Sequence, residues 1–93
     1  MAKAKKARFL GRYIVIDPDI CHGEPTFRGT RIMVKHVLEQ VVEGMSWDAI
    51  VQEWRGSISK DAIAEAVQLA SMAFLEHAPE YIAPEYVLQR VPA

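Results

Sequence analysis

The spacing of apolar positions changes near residue 34. Before that point they come in short runs. "RYIVID" (12–17) is a β-branched run closed by Asp17-Pro18, which predicts a strand ending in a turn. "CHGEPTFRGTR" (21–31) holds Gly23, Pro25 and Gly29 at spacings that exclude a helix. "RIMV" (31–34) predicts a second short strand, paired with the first in the same chain or across two chains. Two strands alone are weak and must lean on an apolar partner.

From residue 34 the period is helical. Val34, Val37, Leu38, Val41 and Val42 fall at i, i+3, i+4, i+7 and i+8, one stripe of a helix, with Gly44 placed to end it. Ser46 suits the N-cap of a second helix, with Asp48 in its first turn and Met45 and Ile50 as a hydrophobic staple. Trp47, Ile50, Val51 and Trp54 repeat the stripe, and Gly56 stops it. Ser59 caps a third helix, with Asp61 in the first turn and Ile58 and Ile63 as a second staple. Ile63, Ala66, Val67, Ala70, Ala73 and Phe74 are its expected buried face, and Pro79 its end. The alanines at 62, 64, 66, 70 and 73 would let another helix approach closely. Three helices of roughly 9, 9 and 19 residues follow from these signals.

The expected fold is therefore mainly α: a short N-terminal β-hairpin or two-strand element, then a three-helix bundle. Helix two, a short turn containing Gly56 and helix three have the layout of a helix-turn-helix. A plain three-helix bundle would need the same caps and stripes. Residues 1–11 read as a flexible basic arm, 12–78 as the domain, and 79–93 as an extension. In that extension Tyr81, Ile82, Tyr86, Val87 and Leu88 are apolar enough to cover a surface, in this chain or a partner.

Charge sharpens the division. Of the 11 basic residues, Lys3, Lys5, Lys6, Arg8 and Arg12 lie in the first twelve positions, where there is no acid. The remaining chain carries the other six basic residues and all 12 acidic ones. A basic arm on an acidic body points to an anionic partner such as nucleic acid, against the plain alternative of a solvated tail. No apolar run reaches the roughly 18 residues of a membrane span. The basic start has no apolar core behind it, so it is not expected to act as a secretory signal. The single Cys21 cannot form an internal disulfide, and a reducing cytoplasm is the expected compartment.

The loop 21–34 is the segment richest in special residues. It is no phosphate cradle, because neither G-x-x-x-x-G-K-[ST] nor G-x-G-x-x-G is present. Cys21, His22 and Glu24 are metal-capable, but they are nearly adjacent and no second cluster stands elsewhere; His36 and His77 are isolated. A Cys21–His22 nucleophile pair fails because neighbouring side chains on an extended loop point apart. No cofactor, no metal, no small-molecule substrate and no enzymatic activity are expected.

The order Asp17-Pro18, Gly23-x-Pro25, Gly29-Thr30-Arg31-Ile32, Val34, Gly44, Ser46 resembles the DUF433 family of small bacterial and archaeal proteins, related to VapB45-type antitoxins. The resemblance covers roughly residues 13–75. His22 stands where the first Gly of a Gly-Gly pair is usual, and Met33 where Pro is common. The resemblance implies a homeodomain-like three-helix fold with an N-terminal β element, often dimeric. It also implies the antitoxin side of a toxin–antitoxin pair beside a PIN-type ribonuclease, with no catalytic residues. A homodimer, a PIN-type toxin and double-stranded DNA are thus the expected partners. A protein-binding adaptor without a DNA role is the alternative.

For DNA, the expected contacts are the arm residues Lys3, Lys5, Lys6 and Arg8, with Arg28, Lys35, Arg55, Ser59, Lys60 and Gln68. The third helix is acidic for such a role, since Asp61 and Glu65 oppose phosphates. Arg28 and Arg31 have two readings: contact with a phosphate or partner carboxylate, or, for Arg31, tying down the loop through backbone carbonyls or Asp17. Trp47 and Trp54 are either core aromatics or part of a patch for a partner.

Overall fold

The computed structural model describes residues 6–81. Three strands, β1 (Arg8–Phe9), β2 (Ile14–Ile16) and β3 (Pro25–Phe27), form an antiparallel sheet in that order. Three helices follow, α1 (Val34–Val42), α2 (Trp47–Glu53) and α3 (Lys60–His77). Single 3-10 turns occupy Cys21–Gly23 and Ala78–Tyr81.

The mainly-α, homeodomain-like expectation is corrected here. The β element has three strands, and it forms part of the core. Ile14 pairs with Phe27 across β2 and β3, and both side chains are buried in one cluster with Val34, Val37, Ile50, Ile58, Ala62, Ile63 and Ala66. Helices and sheet therefore share a single apolar interior, an α+β arrangement. The third strand comes from the stretch read as an arm: Arg8 and Phe9 pair with Ile16 and Val15. A two-residue strand carries no periodic signal of its own, so pattern alone misses it.

The second predicted strand is also displaced. Pro25–Phe27 pairs with β2, whereas Arg31–Val34 does not form a strand; Met33 makes only an isolated bridge with Thr26. The physical reason lies in Gly29. Its φ of +76° turns the chain sharply, and Thr30 N–H donates to the Phe27 carbonyl at 3.0 Å. The segment after the turn runs straight into α1. Pro25 is tolerated because it stands at the end of an edge strand, where its missing N–H breaks no ladder bond.

The helical signals map closely. Ser46 and Ser59 cap α2 and α3, their hydroxyls accepting from Ala49 and Ala62 N–H at 3.1 Å each. Ile58 and Ile63 are both in the core, as a staple requires. The expected burials fail in three places, at five residues. Val42 is 85% exposed, because it sits at the flank of the α1 stripe in the helix's last residue. Trp47, the first residue of α2, is exposed, while Trp54 is half-buried and its indole N–H donates to Gln40 Oε1 at 2.7 Å. On α3, Ala62, Ile63 and Ala66 are buried, but Ala70, Ala73 and Phe74 are exposed. The helix continues in register past the body that its first half packs against.

Candidate nucleic-acid interface

The site is built on β1, the turn after it, and α3. β1 is paired with β2, and just beyond it Leu10 N–H donates to the Ile14 carbonyl at 2.8 Å, so residues 8–14 form a tight hairpin. At its bend, Glu65 of α3 reaches across. Its Oε1 accepts from Arg12 N–H at 2.7 Å and its Oε2 from Tyr13 N–H at 2.8 Å. Both carboxylate oxygens are thus used by two successive backbone amides, and the charge on the acceptor strengthens each bond. Gly11 makes room for this. A Cβ at that position would lie 2.6–2.7 Å from the Glu65 carboxylate atoms.

The result is a hairpin fixed to the first half of α3. Arg8 stands on the edge strand, and Lys6, Ala7 and Arg8 line a shallow concavity with Pro18. Arg12 follows the bend, its guanidinium 5.6 Å from the Tyr13 ring centre. Arg28 is next to the same bend, its N–H donating to the Tyr13 carbonyl at 2.8 Å. Among the described residues, none of Lys6, Arg8, Arg12 and Arg28 is within ion-pair distance of a carboxylate.

Other sequence-predicted contacts are placed differently. Lys60 is paired with Asp48 at 2.7 Å, and Lys35 lies 3.8 Å from Glu24. Both pairs are well exposed, so they add little stability but partly cancel the cations. Arg55 sits in the turn between α2 and α3 at a left-handed φ of +56°, just before Gly56. The Ser59 hydroxyl is occupied as a cap acceptor, and Gln68 is exposed on α3. Lys3 and Lys5 lie outside the described residues, as do Ile82, Tyr86, Val87 and Leu88. Tyr81 is described and exposed, its ring 5.5 Å from that of Phe74.

The 21–34 loop serves architecture. Asp17 Oδ1 accepts from Asp19 N–H at 2.9 Å, and the Asp17 carbonyl accepts from Ile20 N–H at 2.9 Å, which sets the turn at Pro18. Thr30 ties the second turn. Its hydroxyl donates to the Phe27 carbonyl at 2.7 Å and accepts from Ile32 N–H at 3.0 Å. The Arg31 carbonyl accepts from Cys21 Sγ at 3.5 Å, while its side chain is exposed. His22 adopts φ +56°, the left-handed conformation that favours Gly there. Among the described residues, no three His, Cys, Asp or Glu side chains are gathered as a metal site would need. No described helix is long and apolar enough to cross a membrane.

The Glu65 clamp is the part that residue patterns did not disclose. A mid-helix Glu reads as a solvated charge, and its partners are backbone amides 53 and 52 residues away in the chain. The one available signal was Gly11, a glycine beside a basic run with no turn partner to explain it.

These features define a small α+β domain whose basic edge hairpin is locked to its longest helix. The chain belongs to the DUF433 family: the family model described as "Protein of unknown function (DUF433)" matches residues 14–70. No curated protein and no solved structure matches it.

Proposed function

We propose that this DUF433 domain acts as an antitoxin-type regulator that binds double-stranded DNA through its basic hairpin. The observation that carries the reading is the state of the charges at that edge. Lys6, Arg8, Arg12 and Arg28 have no carboxylate partner among the described residues. The acid that reaches the edge, Glu65, spends both oxygens on backbone N–H groups. Phosphate contacts supply most sequence-independent affinity for DNA, and free cations on a rigid edge suit that task. Binding of duplex DNA from the chain's own upstream region, against a scrambled duplex, tests it by fluorescence anisotropy from about 50 to about 300 mM salt. Affinity should fall linearly on a log–log plot. Arg8→Ala and Arg28→Ala should each flatten the slope by roughly 1. A slope that both variants leave unchanged would sink the assignment.

A second reading, an adaptor that masks a PIN-type toxin without touching DNA, has its own support. Lys60 at the start of α3 faces Asp48, so the first turn of that helix offers little net positive charge. Co-expression with PIN-type ribonucleases of the same genome separates the readings. Growth rescue by a wild-type chain that binds no duplex in the anisotropy assay favours the adaptor.

A further inference from the structure

We infer that Phe9 and Leu10 form an apolar wedge that enters a base step of duplex DNA from the minor-groove side and bends the duplex away from the protein. The inference rests on the duplex-DNA reading above and adds how the DNA is deformed and by which side chains. Phe9 is 60% exposed and Leu10 45%. Phe9 ends β1 opposite Val15, and strand alternation sets it on the sheet face away from the helical cluster. Leu10 opens the bend, where its N–H donates to the Ile14 carbonyl at 2.8 Å. Neither side chain belongs to the core cluster or to the apolar residues packed against it.

Charge selects the occupant. Among the other exposed large apolar residues, Val42, Trp47, Leu75 and Tyr81 each adjoin an acid: Glu43, Asp48, Glu76 and Glu80 in turn. Met72 and Phe74 stand in an uncharged run. Phe9 and Leu10 instead lie in sequence between Arg8 and Arg12, and among the described residues neither arginine is within ion-pair distance of a carboxylate. An apolar pair bracketed by such cations matches a surface with an apolar interior and anionic edges. Stacked bases between two phosphate chains are that surface. The minor groove is about 6 Å wide, whereas the strands of a ribbon alone stand about 4.8 Å apart before side chains are added. The hairpin therefore enters only where the groove opens, and unstacking a base step opens it. A wedge must also be stiff, and Glu65 supplies this by fixing the bend to α3 through the Arg12 and Tyr13 amides. Between the two arginines stand only Phe9, Leu10 and Gly11, whose side chains cannot hydrogen-bond a base. Sequence preference then follows the ease of unstacking, which favours pyrimidine–purine steps such as TA.

The test reads bend and affinity separately on the full chain. A duplex of about 25 base pairs with a central TA step and a dye at each end reports the bend by energy transfer. 2-Aminopurine at the same step reports unstacking. The wild-type chain should bend the duplex by about 20–90° and raise the 2-aminopurine fluorescence. Phe9→Ala with Leu10→Ala should abolish both signals and weaken binding about tenfold, with the salt slope unchanged because no charge is lost. Arg8→Ala should do the reverse, flattening the slope while the complex that forms stays bent. Both wedge positions are exposed, so circular dichroism should be unchanged in the double variant. Phe9→Met, which keeps a side chain able to wedge, should retain the bend. A straight wild-type complex, or a bend that survives the double variant, overturns the wedge and leaves the DNA reading intact. A wild-type chain that binds no duplex even at the lowest salt overturns both.

Discussion

The two halves of α3 follow one apolar spacing and have different surroundings. In the first half that spacing is answered: Ile63 and Ala66 meet Ile14 and Phe27 of the sheet and Val37 and Ile50 of the other helices in one closed cluster. Glu65, on the flank of the same half, holds the hairpin bend. In the second half the same spacing is left exposed at Ala70, Ala73 and Phe74, with the Phe74 ring 5.5 Å from that of Tyr81. Periodicity reports that a face wants burial. It does not report whether the chain itself supplies the cover.

The sharpest way to break this comparison is to truncate one large apolar side chain in each half. Ile63→Ala removes a fully buried side chain and should lower stability by about 3 kcal/mol. Phe74→Ala should change monomer stability by less than about 0.5 kcal/mol, as exposed substitutions do. Urea unfolding at protein concentrations well below the micromolar range reads both. Equal losses at the two positions would mean that the second half is buried in the monomer, and the contrast would collapse.

The same contrast marks how far residue patterns carry. Caps, staples and helix ends were legible because each depends on two or three residues close in sequence: Ser46 with Ala49, Ser59 with Ala62, Gly44 and Gly56 at left-handed φ. The sheet was half legible. β2 announced itself by its β-branched run, whereas β1 and β3 are two or three residues long and owe their pairing to a hairpin clamped from α3 and a turn at Gly29. Of the proposed site, the basic residues were visible as a composition bias. Their fixed placement was not, since it rests on Glu65 accepting from Arg12 and Tyr13 across the fold.

Loosening that clamp should have a smaller effect than opening the core. Glu65→Gln keeps one acceptor oxygen but presents an NH₂ to the other backbone N–H. It should cost about 1–2 kcal/mol, since bonds to a charged acceptor are stronger than neutral ones and this site is only part-buried. Gly11→Ala should act on the same bonds by pushing the carboxylate aside. Hydrogen exchange at the Arg12 and Tyr13 amides should accelerate in both variants, and the double variant should lose little more than either single one. Additive losses would show that the two residues act separately and that the hairpin is held to α3 by other contacts.

The smallest effect concerns the sheet, on its face away from the helical cluster. Strand alternation sends Ile14 and Phe27 to the helical side, and Val15 and Thr26, directly paired, to the other. Thr26 is fully buried and, among the described residues, its hydroxyl has no hydrogen-bond partner. A buried unpaired hydroxyl opposes folding, and the near-isosteric Val removes it without opening a cavity. Thr26→Val should therefore stabilise the domain by about 1 kcal/mol in the same urea assay. The gain should be equal in the wild-type and Phe74→Lys backgrounds, because β3 belongs to the half of the molecule that closes on itself. A loss of stability instead would mean that the hydroxyl does have a partner, such as a bound water, on that face of the sheet. A gain that vanished with Phe74→Lys would tie the sheet to the projecting helix and erase the distinction between the two halves.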